Sequence, residues 1–545
     1  EPKDADQPES AEEPKSADQH ESAEQAQPQQ AAPAAAPAGS TPVNKKDDGF
    51  WGNTITVINN FADKVLNLTL KDVKIDVSDT GGDNFEFEDD QRGKAALSVQ
   101  GKGNVEIELD GNNELKSGKG RAGLEKTSTG TLTLKDDNKE AGSLTATGGY
   151  NGAGIGGGNG DGAENITITG GTVTATGGSS GAGIGGGREG KGENITITGG
   201  TVNATGNEDG AGIGGGSSGS GENITINGGE VTASGGDNWD DCGAGIGGVG
   251  KNITITGGTV NAAGSYFDHG MGAGIGGGGN SSGNNITITG GTVNVTGGYG
   301  GGAGIGGGAE GGGGKNITIK GGTVTATGGG YRGNSGAGIG GGVNGIGSKV
   351  TVSGAAQVTA TATGSGPDWS GVGTGATIGN GGSKTPDGPV DGKEIQADIS
   401  HLTTGYIHHI IYNPDLDLDG KPDGILKEWW EFALPKPIPD GESLDLHVET
   451  LKGAPLLFNT RQQGSTLRVT TDNLSARLHG TRQALETLQE QGVEQIQFVT
   501  TLKTTTLSVE DLLAEGGSWF ALEHDGLGSR RLSAAQAESL KCWRH

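Results

Sequence analysis

Hydrophobic and polar residues alternate along most of the chain from residue 50 onward, in short runs separated by glycine. Segments such as NTITVI, LNLTLKDVKIDV and NVEIELDG place an apolar residue at every second position. This is the pattern of a β-strand with one buried face, so it predicts an all-β architecture.

From about residue 146 the alternation settles into a repeated unit, of which ENITITGGTVTATGGSSGAGIGGGREGKG is one copy. The Asn of the NIT triplet falls at residues 165, 194, 223, 252, 285 and 316, so the spacing is 29 three times and then 33 and 31. Three short strands and glycine corners per repeat predict a three-sided parallel β-helix with turns about 4.8 Å apart. We expect a right-handed solenoid of about ten turns.

The alternation also predicts which side chains point inward. Ile166 and Ile168 of NITIT, Val173 and Ala175 of TVTATG and Ile184 of GAGIGG are expected to face the core. Stacking should align Ile184 with Ile213, Ile246, Ile275, Ile305 and Ile339, extended by Leu124 upstream and Ile378 downstream. GAGIGGG is therefore interpreted as a folding motif, whose glycines allow tight corners and close backbone approach.

Composition divides the chain into four parts. Residues 1–49 are acidic and rich in Pro, Ala and Gln, which predicts a disordered tail, and residues 50–145 predict a cap and first irregular turns. Residues 146–392 are the GAGIGGG-repeat β-helix. In residues 393–545 glycine thins, which predicts a smaller α+β or β-rich module containing the helix TRQALETLQEQG, with Gly492 as its C-cap.

The formal net charge of −28 disfavours nucleic acid as a partner, because neutralising phosphates takes clustered Lys and Arg. No apolar run is long enough to predict a membrane span. A start at Glu1 without an apolar leader fits a mature protein, and we expect an extracellular location, secreted or at the cell surface. Cys242 and Cys542 lie far apart and define no disulfide framework.

Aromatic residues of the repeat region all lie in one connection, between the TVTATG and GAGIG segments. Equivalent corners stack, so the rings predict a ridge that suits sugar faces, with polar neighbours for sugar hydroxyls. The candidate ligand-binding residues are Trp239, Asp240, Tyr266, Phe267, His269, Tyr299, Tyr331, Arg332 and Trp369. The alternative is that longer corners merely cover the flank of the solenoid.

Two further groups of polar residues have structural interpretations. The Asn column of the NIT triplets is expected to cap corner amides of neighbouring turns. His408 and His409 are adjacent in a predicted strand and should face opposite sides, which argues against a shared metal.

One acidic stretch suggests a metal site. NPDLDLDGKPDGILKEWWE carries Asp at alternate positions before a Gly, an arrangement that supplies several oxygens to Ca²⁺. The stretch resembles the aspartate-rich calcium repeats of thrombospondin type 3 and related bacterial surface linkers. The resemblance implies a ligand set of Asp415, Asp417, Asp419, Lys421 through its carbonyl, and Asp423. Glu428 would complete the set, since Leu426 stands at the usual acidic position; the alternative is a plain acidic turn.

Several segments of the chain together resemble one protein family, namely NVEIELDGNNELKSG, GRAGLEK, SLTATGGYNGAGIGGG and the NITITGGTVTATGG and GAGIGGG units. This family is the glycine-rich repeat β-helix surface proteins of Gram-positive bacteria, some of them described as carbohydrate-binding domain proteins. The resemblance covers about residues 50–390. It implies a β-helix that looks like those of pectate lyases without their catalytic residues, with a polysaccharide or glycoprotein glycan as partner.

The sequence therefore predicts a non-catalytic β-helix protein, associated with a cell wall or surface, that binds carbohydrate or a host surface. One alternative is a structural cell-surface spacer or rod. Another is a polysaccharide lyase or hydrolase, which would need acids converging beside a groove. Outward positions of the predicted repeat strands are almost all Thr and Asn, which disfavours that alternative.

Overall fold

The computed structural model describes Lys46 and residues 48–82, 91–138, 140–236, 242–265, 270–330, 335–364, 372–413, 424–432 and 445–540. Within these ranges the chain forms a parallel β-helix followed by a β-rich module, and the helices are short. The predicted fold class is confirmed, with the β-rich form of the C-terminal module.

Successive turns contribute strands to three parallel sheets, here called sheets 1, 2 and 3. Sheet 1 comprises Ile55–Asn59, Leu97–Gly101, Leu124–Lys126, Ile155–Gly156, Ile184–Gly185, Ile213–Gly214, Ile246–Gly248, Ile275–Gly277, Ile305–Gly306, Ile339–Gly340 and Ile378–Gly379. Sheet 2 comprises Val65–Lys71, the first half of Asn104–Lys116, Leu132–Lys135, Ala163–Ile168, Gly192–Ile197, Gly221–Ile226, Lys251–Ile255, Gly283–Ile288, Gly314–Ile319 and Gly347–Val352. Sheet 3 comprises Lys74–Asp76, the second half of Asn104–Lys116, Gly142–Thr147, Thr172–Thr176, Thr201–Thr205, Glu230–Ser234, Thr259–Ala263, Thr292–Thr296, Thr323–Thr327, Gln357–Thr363, Tyr406–Tyr412 and Ile425–Phe432.

The 11 strands of sheet 1 count the turns of the solenoid, close to the number expected. Asn104–Lys116 runs through a corner and pairs in both sheet 2 and sheet 3. Sheet 3 ends differently from the other two. Tyr406–Tyr412 pairs in parallel with Gln357–Thr363, and Ile425–Phe432 then pairs antiparallel with Tyr406–Tyr412.

The predicted inward columns are confirmed. Ile166, Ile168, Val173, Ala175 and Ile184 are fully buried. In sheet 1 one apolar side chain per turn aligns in register, along the column Leu97, Leu124, Ile155, Ile184, Ile213, Ile246, Ile275, Ile305, Ile339 and Ile378. The apolar side chains of one turn are covered by those of the turns above and below. A single turn therefore has no hydrophobic core of its own.

Each isoleucine of the sheet 1 column is followed by a glycine, and the surroundings of this glycine explain why GAGIGGG recurs. Gly214 has φ +140°, and a Cβ placed on it would lie 2.0 Å from the carbonyl oxygen of Gly247 in the next turn. Its equivalents with positive φ are Gly156, Gly185, Gly247, Gly276, Gly306, Gly340 and Gly379. A side chain at this position would therefore separate adjacent turns.

The Asn column corrects a prediction. These residues have left-handed backbones, with φ of 56° at Asn223, and their side chains bond one another rather than corner amides. Nδ2 of Asn223 donates to Oδ1 of Asn194 at 3.1 Å, and Nδ2 of Asn252 donates to Oδ1 of Asn223 at 3.0 Å. The same bond links Asn165 to Asn194, Asn252 to Asn285 and Asn285 to Asn316. The result is a continuous amide ladder on the solenoid surface.

The C-terminal module packs two sheets and helices around its own core. One sheet comprises Leu446–Glu449, Ser475–Thr481, Trp519–Asp525 and Gly528–Leu532; the other comprises Asn459–Gln463, Thr466–Thr470, Gln495–Val499 and Thr504–Ser508. The helices are α1 (Arg482–Glu490), α2 (Val509–Ala514) and α3 (Ala534–Ser539). The C-cap of α1 is Gln491, and the predicted cap Gly492 follows it with φ +78°.

A two-stranded hairpin, Ser383–Thr385 with Gly388–Val390, follows the last strand of sheet 1. Of the helices in the described ranges, none has the length and apolar character needed to cross a membrane.

Candidate functional site

The predicted aromatic ridge falls almost entirely outside the described residues. Those outside are Trp239, Asp240, Tyr266, Phe267, His269, Tyr331, Arg332 and Trp369. Tyr299 is described: it is half-buried, and its backbone N–H donates to the carbonyl of Ser265 at 3.2 Å. The ridge therefore stays a prediction.

Most of the predicted calcium ligands are also outside the described residues, namely Asp415, Asp417, Asp419, Lys421 and Asp423. Glu428 is described, on the strand Ile425–Phe432, with its Oε1 2.6 Å from Nε2 of His408. Nowhere in the described ranges do three or more His, Cys, Asp or Glu side chains form a group that could hold a metal. The calcium site likewise stays a prediction.

The last two strands of sheet 3 carry a row of aromatic rings on their outward face. We call Tyr406, His408, Trp430 and Phe432 the aromatic row. His408 stacks on Trp430 with ring centroids 3.7 Å apart, and Phe432 lies parallel to Trp430 at 5.9 Å. Tyr406 meets Trp430 edge-on at 5.0 Å. Trp430 is 38 % exposed, and the other three rings of the row are half-buried.

Strand register places these rings together. Tyr406 lies opposite Phe432 and His408 lies opposite Trp430 across the antiparallel pair, so alternation puts all of them on one face. His409 lies opposite Trp429 on the other face and stacks on it at 4.5 Å. The prediction that His408 and His409 face opposite sides is confirmed.

Behind the row, His409 begins a buried chain of hydrogen bonds. Its exposure is 2 %, and Nδ1 lies 2.6 Å from Oγ1 of Thr377. The Thr377 hydroxyl donates to Oε1 of Glu394 at 2.9 Å, and the backbone N–H groups of Thr377 and Ile378 donate to the two oxygens of the same carboxyl. Because a hydroxyl carries one proton, His409 Nδ1 is the donor to Thr377.

This tautomer leaves a lone pair on His409 Nε2, which lies 3.6 Å from Oε1 of Glu431. Burial lowers the pKa of His409 to about 4, and the nearby charges of His408 and Lys427 act in the same direction. Burial raises the pKa of Glu394, against the hydrogen bonds from Thr377 and Ile378. Burial and the charge of Glu394 together raise the pKa of Glu431.

A pocket of about 320 Å³ opens where the end of the β-helix meets the C-terminal module. We call it the junction pocket. Trp430, Glu431 and Phe432 line one side, and Phe458 and Asp472 of the module line another. Trp430 and Phe432 thus line the cavity from the face of the aromatic row, and Glu431, which lies opposite Ile407, lines it from the other face of the same strand.

Comparison with protein families matches the repeat region alone. Seven segments match a family described as Beta helix repeat: residues 140–159, 166–188, 195–217, 224–251, 253–279, 286–309 and 317–343. These seven segments of the chain are β-helix repeats, in agreement with the parallel β-helix of the structure. Neither the curated proteins nor the solved structures contain a match to it.

Sequence reasoning missed the junction of this β-helix repeat protein. A signal was present: YIHHIIY and ILKEWWEF are both rich in β-branched and aromatic residues, and each contains a doublet of rings that a hairpin would bring together. The calcium-like stretch between them drew the interpretation toward a loop. No repeat helps to align these segments with Thr377 or Glu394, whose contacts come from the fold alone.

Proposed function

We propose that this β-helix repeat protein is an extracellular, non-catalytic protein that binds carbohydrate, either a polysaccharide or a glycoprotein glycan on a host surface. The observation that carries the proposal is the aromatic row with its exposed Trp430, because Trp430 and Phe432 also line the junction pocket. Flat rings at low entropy cost suit the apolar faces of sugars, and polar groups in a concave site fix their hydroxyls.

The geometry favours binding by a rigid surface. Trp430 is held in place by His408, which stacks on it at 3.7 Å, and by Phe432, which lies parallel to it at 5.9 Å, within a pair of hydrogen-bonded strands. A ring that is already ordered loses little entropy when a sugar stacks on it. The solenoid supplies the fixed sheet on which these strands are built.

The corner residues predicted from the sequence belong to the same proposal as a second contact surface. Trp239, Tyr266, Tyr299 and Tyr331 would stack on further sugar units along the solenoid edge. A polymer could then engage both places, and its avidity would exceed that of a short oligomer.

The test is a glycan array and a polysaccharide pull-down with the full-length protein and a Trp430→Ala variant. We expect Trp430→Ala to weaken binding about tenfold or more, because one stacking ring is lost. Phe61→Ala is the matched control, since it removes a ring that is 69 % exposed from the first turn of the solenoid.

Unchanged binding by a folded Trp430→Ala variant would contradict a site at the junction and move the search to the corner residues. Absence of binding by any form would favour a structural rod. Release of reducing or unsaturated sugar ends during the assay would instead favour a hydrolase or lyase.

Calcium is proposed for the acidic stretch on the sequence pattern alone. We expect Ca²⁺ to raise the melting temperature of the full-length protein, because a cation bound by the acidic stretch would stabilise the folded state. Changing Asp417 and Asp419 to Asn should abolish the rise. An equal rise in the variant, or none in the parent, would exclude the site.

A further inference from the structure

The junction pocket is acidic and, among the described residues that line it, contains no Lys or Arg. Glu431 and Asp472 are its carboxyl groups. The side chain of Glu431 is 20 % exposed, and Asp472 is exposed to solvent. A ligand that enters the pocket therefore meets two carboxyl groups and, among the described lining residues, no Lys or Arg.

The groups around Glu431 leave its charge unbalanced. Oε2 accepts a hydrogen bond from Nε2 of Gln396 at 3.0 Å, a neutral donor. Oε1 faces Nε2 of His409 at 3.6 Å, and that nitrogen carries a lone pair because Nδ1 holds the ring proton. Two acceptors thus face each other, and the buried Nε2 of His409 has no hydrogen-bond partner. An ammonium group of a ligand in the pocket would supply the hydrogen-bond donor and the positive charge that Glu431 lacks.

The aromatic walls fit the same ligand. Trp430, Phe432 and Phe458 are among the residues that line the pocket, and ring faces attract both cations and the C–H faces of sugars. The chain as a whole carries a formal net charge of −28, which attracts cationic polymers and repels polyanions such as polyuronates.

We propose that the junction pocket selects glycan units that carry a free, protonated amine, with Glu431 and Asp472 holding the ammonium group and the aromatic rings holding the sugar face. Hexosamine units without an N-acetyl group are the sugars of this class. The inference rests on the proposed function, because it names the kind of sugar that the aromatic row receives.

The test measures binding of short, defined oligomers to the full-length protein by calorimetry. The probes are tetramers of glucosamine, N-acetylglucosamine, glucose and galacturonic acid, with tetralysine as a cation without sugar rings. We expect the glucosamine tetramer to bind about tenfold or more tightly than the neutral tetramers, since hydrogen bonds to charged groups are the stronger ones. The galacturonic acid tetramer should bind most weakly of all the sugars.

Paired variants locate the preference. Glu431→Gln combined with Asp472→Asn keeps the shape of both side chains and should lower the ratio of glucosamine to glucose tetramer affinity about tenfold, to near one. Glu230→Gln removes a charge from the exposed face of sheet 3 and serves as the control for net charge. It should leave the preference intact.

Acidification gives an independent readout. The preference should weaken as the pH falls through the pKa of Glu431, which burial raises, and again as the pH rises through the pKa of the sugar amine. Loss on both sides is the signature of an ion pair.

The outcomes separate the two proposals. Equal affinity for glucosamine and N-acetylglucosamine, with loss of both in Trp430→Ala, would overturn the amine preference and leave the glycan site standing. Tetralysine binding as tightly as the glucosamine tetramer would also overturn it. A failure of every sugar to bind would overturn both proposals.

Discussion

The repeat turns and the final strands of sheet 3 share one register but carry different outward residues. Along one outward column the repeats present Thr174, Asn203, Thr232, Asn261, Asn294, Thr325 and Thr359. The next two positions of that column are His408 and Trp430. The side chains change from interchangeable small polar groups to stacked rings where the repeats end.

The difference follows from how each region is stabilised. A repeat turn is covered on both sides by near-copies of itself, so its outward side chains need only tolerate stacking about 4.8 Å apart. The final strands have no copy beyond them and meet the C-terminal module instead. The end of the β-helix and the C-terminal module do not match in shape, and a cavity remains between them. Side chains of several kinds line this cavity, which is what selective binding requires.

The substitution with the largest expected effect tests whether the glycines of the GAGIGGG motif serve only to bring adjacent turns together. Gly214→Ala should lower the free energy of unfolding by more than about 3 kcal/mol, because the new Cβ would meet the Gly247 carbonyl at 2.0 Å and φ is +140°. Gly311→Ala is the matched control, with φ +97° but nothing within 4 Å of its Cβ. It should cost about 1 kcal/mol, from backbone strain alone.

Chemical denaturation measures both variants. Equal losses would mean that close contact between turns does not explain the glycines. The positive φ of these glycines would then be the sole reason for their recurrence.

The next effect tests the junction through the pH dependence of stability. The fold keeps His409 neutral, with a pKa of about 4, whereas the unfolded chain protonates it near 6.5. Its contribution is therefore fully present above pH 6.5 and is lost as the pH falls toward 4. From about pH 7.5 to about pH 4.5 the loss should be on the order of 2–3 kcal/mol.

Glu394 and Glu431 act in the opposite direction, because their raised pKa values make acid favour the fold. The measurement is thus a difference between the parent and His409→Asn, in which the amide can still donate to Thr377. The parent should lose more stability on acidification than the variant. Parallel pH profiles would contradict a buried neutral imidazole.

The smallest expected effect concerns the amide ladder. Asn223→Gly removes two ladder bonds without straining a left-handed backbone, and should cost about 1 kcal/mol. Asn223→Ala removes the same bonds and adds the strain of φ 56°, so it should cost about 1 kcal/mol more. A thermal melt of each variant tests whether the ladder or the backbone matters.

The repeat region could be predicted from the sequence because its period fixes both the alternation and the stacking. Ile184 and Ile213 occupy equivalent positions in neighbouring repeats, so the length of the repeat predicts that they stack on each other. The hydrogen bonds of the Asn ladder could not be predicted. They depend on a left-handed backbone at each Asn, and the sequence of a polar corner does not show which residues adopt that conformation.

The junction could not be predicted in the same way. Thr377, Glu394 and His409 come from a last turn that no other turn copies, and Glu431 comes from a strand that reverses direction. Their contacts depend on where the repeats stop and how the module packs there. Alternation alone could place His408 and His409 on opposite faces, but it could not name their partners.

The most direct test of the central claim is a crystal structure of the full-length protein with a bound glucosamine tetramer. We expect a sugar ring stacked on Trp430, with its amine between Glu431 and Asp472. A tetramer bound along the repeat turns, with the junction pocket empty, would contradict it.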